Sequence, residues 1–179
     1  MVAIPRPAAD EYAPYYGKYI DRVPAVDGDG ALAALLDRQL AETRELLAGI
    51  AESRASHRYA PGKWSIKEVV GHLADSERVF AYRALRIARG DETPLASFYE
   101  NAFVPPGRFD DRALPDLVAE LEAVRRATVA LLRGLPAEAV ARRGTASGKT
   151  VSVRALAYII AGHERHHVQI LKERYLQGS

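Results

Sequence analysis

The chain has 179 residues, 48% of them apolar and 27% charged, which suits one folded domain with a core of its own. It contains no cysteine, so disulfides, thiolate metal sites and a cysteine nucleophile are excluded. Its 25 basic and 23 acidic residues are interspersed and leave a formal charge of only +2, which argues against a nucleic-acid partner.

No apolar run is long enough to cross a bilayer. Pro5, Pro7, Pro14 and Pro24 interrupt the stretch where a signal peptide would need its apolar segment. We therefore expect a cytoplasmic protein with no membrane partner. Residues 1–28 read as an irregular arm, after which Asp29-Gly30 opens a first helix reaching about Ser53. Leu32, Leu35, Leu36, Leu40, Leu46, Leu47 and Ile50 follow helical spacing there, with Thr43 inside the same stripe.

The second helix has the clearest start. Ser65-Ile66-Lys67-Glu68 spells a capping box, with Trp64 and Val69 placed for a hydrophobic staple. The apolar pattern continues through Leu73, Phe80, Ala84 and Ile87 to a stop at Gly90. Residues 91–110 form a long connection carrying Phe98, Tyr99 and Phe103. Connections of that length tend to be functional or to cover something, and this one can also serve as a crossover along a bundle.

A third helix is predicted from about Asp111, as N-cap, to Gly134. Residues 135–149 read as a short turn and a Gly-Ser-rich loop, and Thr150 or Ser152 caps a fourth helix reaching about Leu176. No segment alternates convincingly with period two. The expectation is an all-α four-helix bundle with a long crossover, forming a single domain over 1–179 with the arm packed on it. Arg125-Arg126 and Arg142-Arg143 read as solvated helix faces.

The histidines carry the functional signal. Of five, three fall in the last helix as His163-Glu164-Arg165-His166-His167. The apolar face set by Leu156, Ile160, Ile170 and Leu171 is centred roughly 40° from His163, where His167 sits, while His166 falls at roughly −60°. His163 and His167 thus point inward. Two core-facing imidazoles are costly to bury unless something accepts their nitrogens, and a metal ion would satisfy both. A divalent ion such as zinc needs at least a third protein ligand, for which His72 on the second helix is the candidate. His57 reads as a surface residue.

Around these positions, Asp75 and Ser76 follow His72 by one turn. Arg83 lies on nearly the same azimuth three turns on, where a surface ion pair is the favoured reading and a grip on a substrate carboxylate or phosphate the alternative. Glu164 diverges from its neighbour His163 by ~100°, so no direct role is expected of it.

The run Tyr59-Ala60-Pro61-Gly62-Lys63-Trp64-Ser65-Ile66-Lys67-Glu68-Val69-Val70-Gly71-His72-Leu73-Ala74-Asp75-Ser76-Glu77 resembles the signature of the DinB-like superfamily, and Gly162-His163-Glu164-Arg165-His166-His167-Val168-Gln169 resembles its closing motif. Tyr15-Tyr16-Gly17-Lys18-Tyr19-Ile20 in the arm is similar to one subfamily. The resemblance implies a four-helix bundle with a long crossover and a three-histidine divalent metal site, the ligands being His72, His163 and His167. It also implies kinship with thiol S-transferases, mycothiol-dependent maleylpyruvate isomerases and metal-dependent hydrolases.

Those residues lead to an expected function. The chain would bind one divalent ion, zinc or nickel, and act on a small molecule by thiol S-transfer or hydrolysis. Having no cysteine, it would use an external low-molecular-weight thiol. No catalytic residue beyond the ligands is assigned. The alternative is a non-catalytic metal-binding stress-response or interaction module, which three ligands without a clear fourth disfavour. A homodimer is expected because Val70, Ala74, Ala81, Leu85 and Ala88 widen the apolar arc of the second helix beyond one core-facing stripe. The competing expectation has Tyr12, Tyr15, Tyr16 and Tyr19 of the arm covering that arc.

Overall fold

Each predicted helix forms, and local signals explain most of the ends. The computed structural model describes residues 1–176, with four long helices: α1 (Ala31–Ala48), α2 (Ile66–Ala88), α3 (Leu114–Arg133) and α4 (Val153–Ile170). The last three positions of the predicted domain lie outside the described residues. Ser65 caps α2 reciprocally: its Oγ accepts the Glu68 N–H at 3.0 Å, and its own N–H donates to Glu68 Oε2 at 2.8 Å. Ser152, not Thr150, caps α4, its Oγ accepting the Ala155 N–H at 3.0 Å. A single wider turn, Leu171–Tyr175, carries α4 on to its expected end.

Two ends differ from expectation for stated reasons. Helix α1 stops at Ala48, before Gly49, and Glu52–Ala55 is a separate turn. Helix α3 starts at Leu114, because Asp111 closes a 3-10 turn and Ala113 is extended. Its cap comes from afar: Glu52 Oε2 accepts the Leu114 N–H at 3.0 Å. No local pattern could reveal that.

The predicted 135–149 loop contains a β-hairpin instead. Strands β1 (Arg143–Ala146) and β2 (Lys149–Ser152) pair antiparallel around Ser147-Gly148, both with positive φ (54° and 69°), the conformation of a tight primed turn. Four-residue strands are too short to show alternation. Leu95 joins the hairpin's edge, its N–H on Thr145 O at 2.8 Å and its O accepting the Ser147 N–H at 3.0 Å.

The apolar core forms two clusters. One holds Leu32 and Leu36 of α1, Phe80 and Ile87 of α2, Leu132 of α3 and Leu156 of α4; the other holds Leu40 and Leu47, Val69 and Leu73, Leu117 and Leu121, and Leu171. Helices α1 and α4 therefore run from the first cluster to the second, and α2 and α3 run back. Helix α2 packs chiefly on α4 and α3, while α1 packs on α3 and α4. Since α2 and α3 are parallel neighbours, the chain must return the length of the bundle between them. Residues 89–113 make that crossover, with the short helix Glu100–Gly107 lying against α2. Among the described residues no helix is long and apolar enough to cross a membrane.

Between the two clusters lies a polar layer. Arg125, read from sequence as solvated, is 1% exposed at its centre. It donates from Nε and Nη2 to Glu77 at 2.9 and 2.7 Å, and from Nη1 to Glu164 at 2.8 Å and Leu36 O at 3.1 Å. Thr43 Oγ1 and Gln39 Nε2 donate to the same Glu164 carboxylate at 2.7 and 3.0 Å. All four helices thus meet at one buried ionic group, on the side of α4 away from His163.

Candidate metal centre

The other side of the polar layer holds the predicted histidines. Residues four apart on a helix share a face, and α4 aims His163 and His167 toward α2, where His72 comes to meet them. Their ring centroids are 4.6 to 4.9 Å apart in every pairing. One nitrogen from each ring lies within 4.8 Å of the others, and His72 Nε2 is 3.1 Å from His163 Nε2. Two imidazole nitrogens bound to one tetrahedral ion at ~2.05 Å would stand about 3.3 Å apart, so the donor set fits a divalent metal. Ser76 Oγ lies 3.3 Å from His72 Nδ1, which fixes that ring with Nε2 toward the cluster.

Burial keeps these rings neutral. It pushes the His72 pKa down to about 4, and drives His163 and His167 well below the ordinary 6.5, with neighbouring histidines and Lys18 adding to the effect. A neutral imidazole is the form that ligates. His166 stays half-buried beside the cluster, outside the converging set, and His57 is exposed, as expected.

The surrounding pocket has a volume of about 280 Å³. Trp64 lies over His72 with centroids 4.6 Å apart, and Phe80 approaches His163 at 5.9 Å. The arm forms the facing wall. Tyr19 meets His163 and His166 edge-on, each at 5.3 Å, and Tyr16 meets Phe80 at 6.1 Å. Gly162 makes that docking possible: a Cβ there would sit 1.9 Å from the Tyr19 carbonyl oxygen. A wider groove of about 640 Å³ beside Leu47, Ile50 and Leu114 holds no comparable donor cluster.

The arm therefore does not cover the spare apolar arc of α2. Val70, Ala74 and Ala88 of that arc are buried within the chain, while Leu85 remains 39% exposed beside Tyr82. Arg83 differs from expectation: it is buried and makes no surface ion pair among the described residues. Glu164 takes no part in the donor cluster, as expected, and is buried in the Arg125 group instead. The one sequence hint for Glu164 was its place beside His163 on a helix with little solvent-facing surface.

The sequence profile of the DinB superfamily matches residues 35–171. The chain belongs to the DinB superfamily. Among solved structures, this DinB protein is similar to YfiT from Bacillus subtilis, described as a probable metal-dependent hydrolase with an unusual four-helix bundle topology. The two share 20% identity over 91% of each chain, with a TM-score of 0.73. That likeness establishes the fold. No curated protein matches the chain at a significant level.

Proposed function

We propose that this DinB protein holds one divalent ion, zinc or nickel, on His72, His163 and His167, and that it is an enzyme acting on a small molecule by thiol S-transfer or hydrolysis. The observation that carries the reading is three neutral imidazoles, two buried and His167 half-buried, converging at the floor of an open pocket, with no fourth protein ligand among the described residues. When bound, the ion would supply Lewis acidity to a water or an external thiol. The chain's own residues do the rest. Ser76 orients His72, while Trp64, Phe80 and Tyr19 exclude bulk water from the three imidazoles and strengthen local electrostatics. The reading places the protein in the cytoplasm, where small thiols stay reduced, and treats 1–179 as one domain.

Elemental analysis tests the site. Purified protein should carry about one divalent ion per chain, His163→Ala or His167→Ala should lose most of it, and His166→Ala should keep it. Metal retained in His167→Ala but lost in His166→Ala would reverse the assignment. Metal-loaded protein screened against small thiols with electrophiles, and against hydrolysable esters and amides, then separates the two reactions. We also infer a homodimer through the Tyr82 and Leu85 face of α2. Leu85→Asp should convert it to monomer in sedimentation with metal content unchanged; a parent that already sediments as a monomer near 20 kDa excludes it.

A further inference from the structure

Two charged side chains line the three-histidine pocket: Lys18 of the arm, and Glu100, which opens the short crossover helix. Burial lowers the pKa of every histidine lining the pocket, so with those rings neutral its wall carries no other formal charge. Neither Lys18 nor Glu100 has an ion-pair partner among the described residues, and they do not pair with each other. The rest of the wall is mostly rings, including Trp64, Phe80 and Phe98.

Both charges are held at the pocket. Lys18 Nζ lies 3.9 Å from the centroid of the Tyr15 ring and 4.9 Å from that of Tyr19, so two rings steady its ammonium. Tyr19 is itself seated on α4 by the close backbone approach at Gly162. Glu100 occupies the first turn of its helix, where unpaired N–H groups favour a charged carboxylate. The two act on different rings: Lys18 adds to the depression of His163, His166 and His167, whereas Glu100 helps to raise Tyr16 and Tyr19. A volume of about 280 Å³ suits a molecule of amino-acid or dipeptide size.

We propose that the molecule bound in this pocket is a small zwitterion of amino-acid type, its carboxylate on Lys18 and its ammonium on Glu100, with its reacting end left to face the three histidines. This rests on the metal-site reading above and names the substrate class for it. A neutral ligand would strip water from both charges and match neither. A simple anion would meet Lys18 but be repelled by Glu100, and a simple cation the reverse; one ammonium and one carboxylate on the same molecule satisfy both.

Trp64, the one tryptophan, lies against His72, and its fluorescence reports occupancy with or without metal. The probes are cysteine and cysteinylglycine, each used free, with the amine acetylated, with the carboxylate amidated, and with both ends capped. In at least one set the free molecule should bind metal-loaded protein about tenfold more tightly than its doubly capped form. Lys18→Gln should abolish the preference for a free carboxylate and keep that for a free amine; Glu100→Gln should do the opposite. A loosened fold cannot imitate that crossed pattern, and Lys18→Arg, which keeps the charge, should keep both preferences. Where one Gln variant fails to fold, the other decides alone. A parent that binds free and doubly capped forms alike overturns the proposal, as does a folded Gln variant that loses the wrong preference, both, or neither. Alanine and alanylglycine, capped in the same ways, offer no thiol to an ion and separate this proposal from the metal reading. Preference for free ends in the alanine and cysteine sets alike, with and without metal and with no thiol advantage, supports the charged ends and sinks the metal site. A thiol advantage that needs metal, with free and capped ends equal, does the reverse.

Discussion

His163 and Glu164 are neighbours on α4, and the bundle buries them by opposite means. On one side, burial holds His163, His72 and His167 neutral and leaves their nitrogens converging on a pocket. On the other, Glu164 keeps a charged partner, with Arg125, Thr43 and Gln39 completing its hydrogen bonds. Both groups occupy the same polar layer between the two apolar clusters. The ionic network, satisfied but for Gln39 Oε1, ties four helices in register, and the converging imidazole nitrogens next to it are available for binding. The ionic side makes the frame that holds the imidazole side in place.

The largest effect should come from breaking the ionic side. Arg125→Met leaves Glu77 and Glu164 buried without their cation and should cost about 3–5 kcal/mol in chemical denaturation. Adding Glu77→Gln and Glu164→Gln should recover much of it. A loss under about 1 kcal/mol would mean the network contributes little to the frame.

The imidazole side should reveal itself through pH. In metal-free protein the histidine pKa values are depressed in the folded state, so the unfolded chain binds more protons. Stability should be full above the ordinary 6.5 and fall as pH drops, by about 1.4 kcal/mol per unit for each participating ring. The His72 share ends near pH 4, its folded value. Metal-free protein equally stable at pH 7 and pH 5 would contradict neutral burial.

The smallest effect concerns the wall that faces the histidines. Gly162→Ala forces a Cβ against the Tyr19 backbone and should cost about 1–3 kcal/mol. The arm should lift, and trypsin should cut faster at Lys18. Metal content should hold, since the three candidate ligands sit on α2 and α4. Unchanged cleavage would show that the arm accommodates the methyl.

What could be read in advance follows from range. The Ser65 cap, the helical stripes and the inward azimuth of His163 and His167 depend on residues within a turn or two of one another, and the structure agrees with each. The Arg125 group escaped because a pair of arginines within a charged stretch looks solvated until Glu77 and Glu164 arrive from other helices. Arg83 escaped likewise, its partners being a loop carbonyl and a hairpin turn. The hairpin was too short to show a period, and the α3 cap came from Glu52.

The docked arm has a consequence for how this scaffold diversifies. The region matched by the superfamily profile begins at residue 35, after the arm, yet Tyr16 and Tyr19 form part of the pocket wall. The residues that would hold the ion and one wall of the pocket around them are thus encoded in separate stretches of the gene. Exchange of the first thirty codons alone would alter which molecules are admitted while leaving the three histidines and their supporting frame untouched. Selectivity in such a bundle can drift without risking the chemistry.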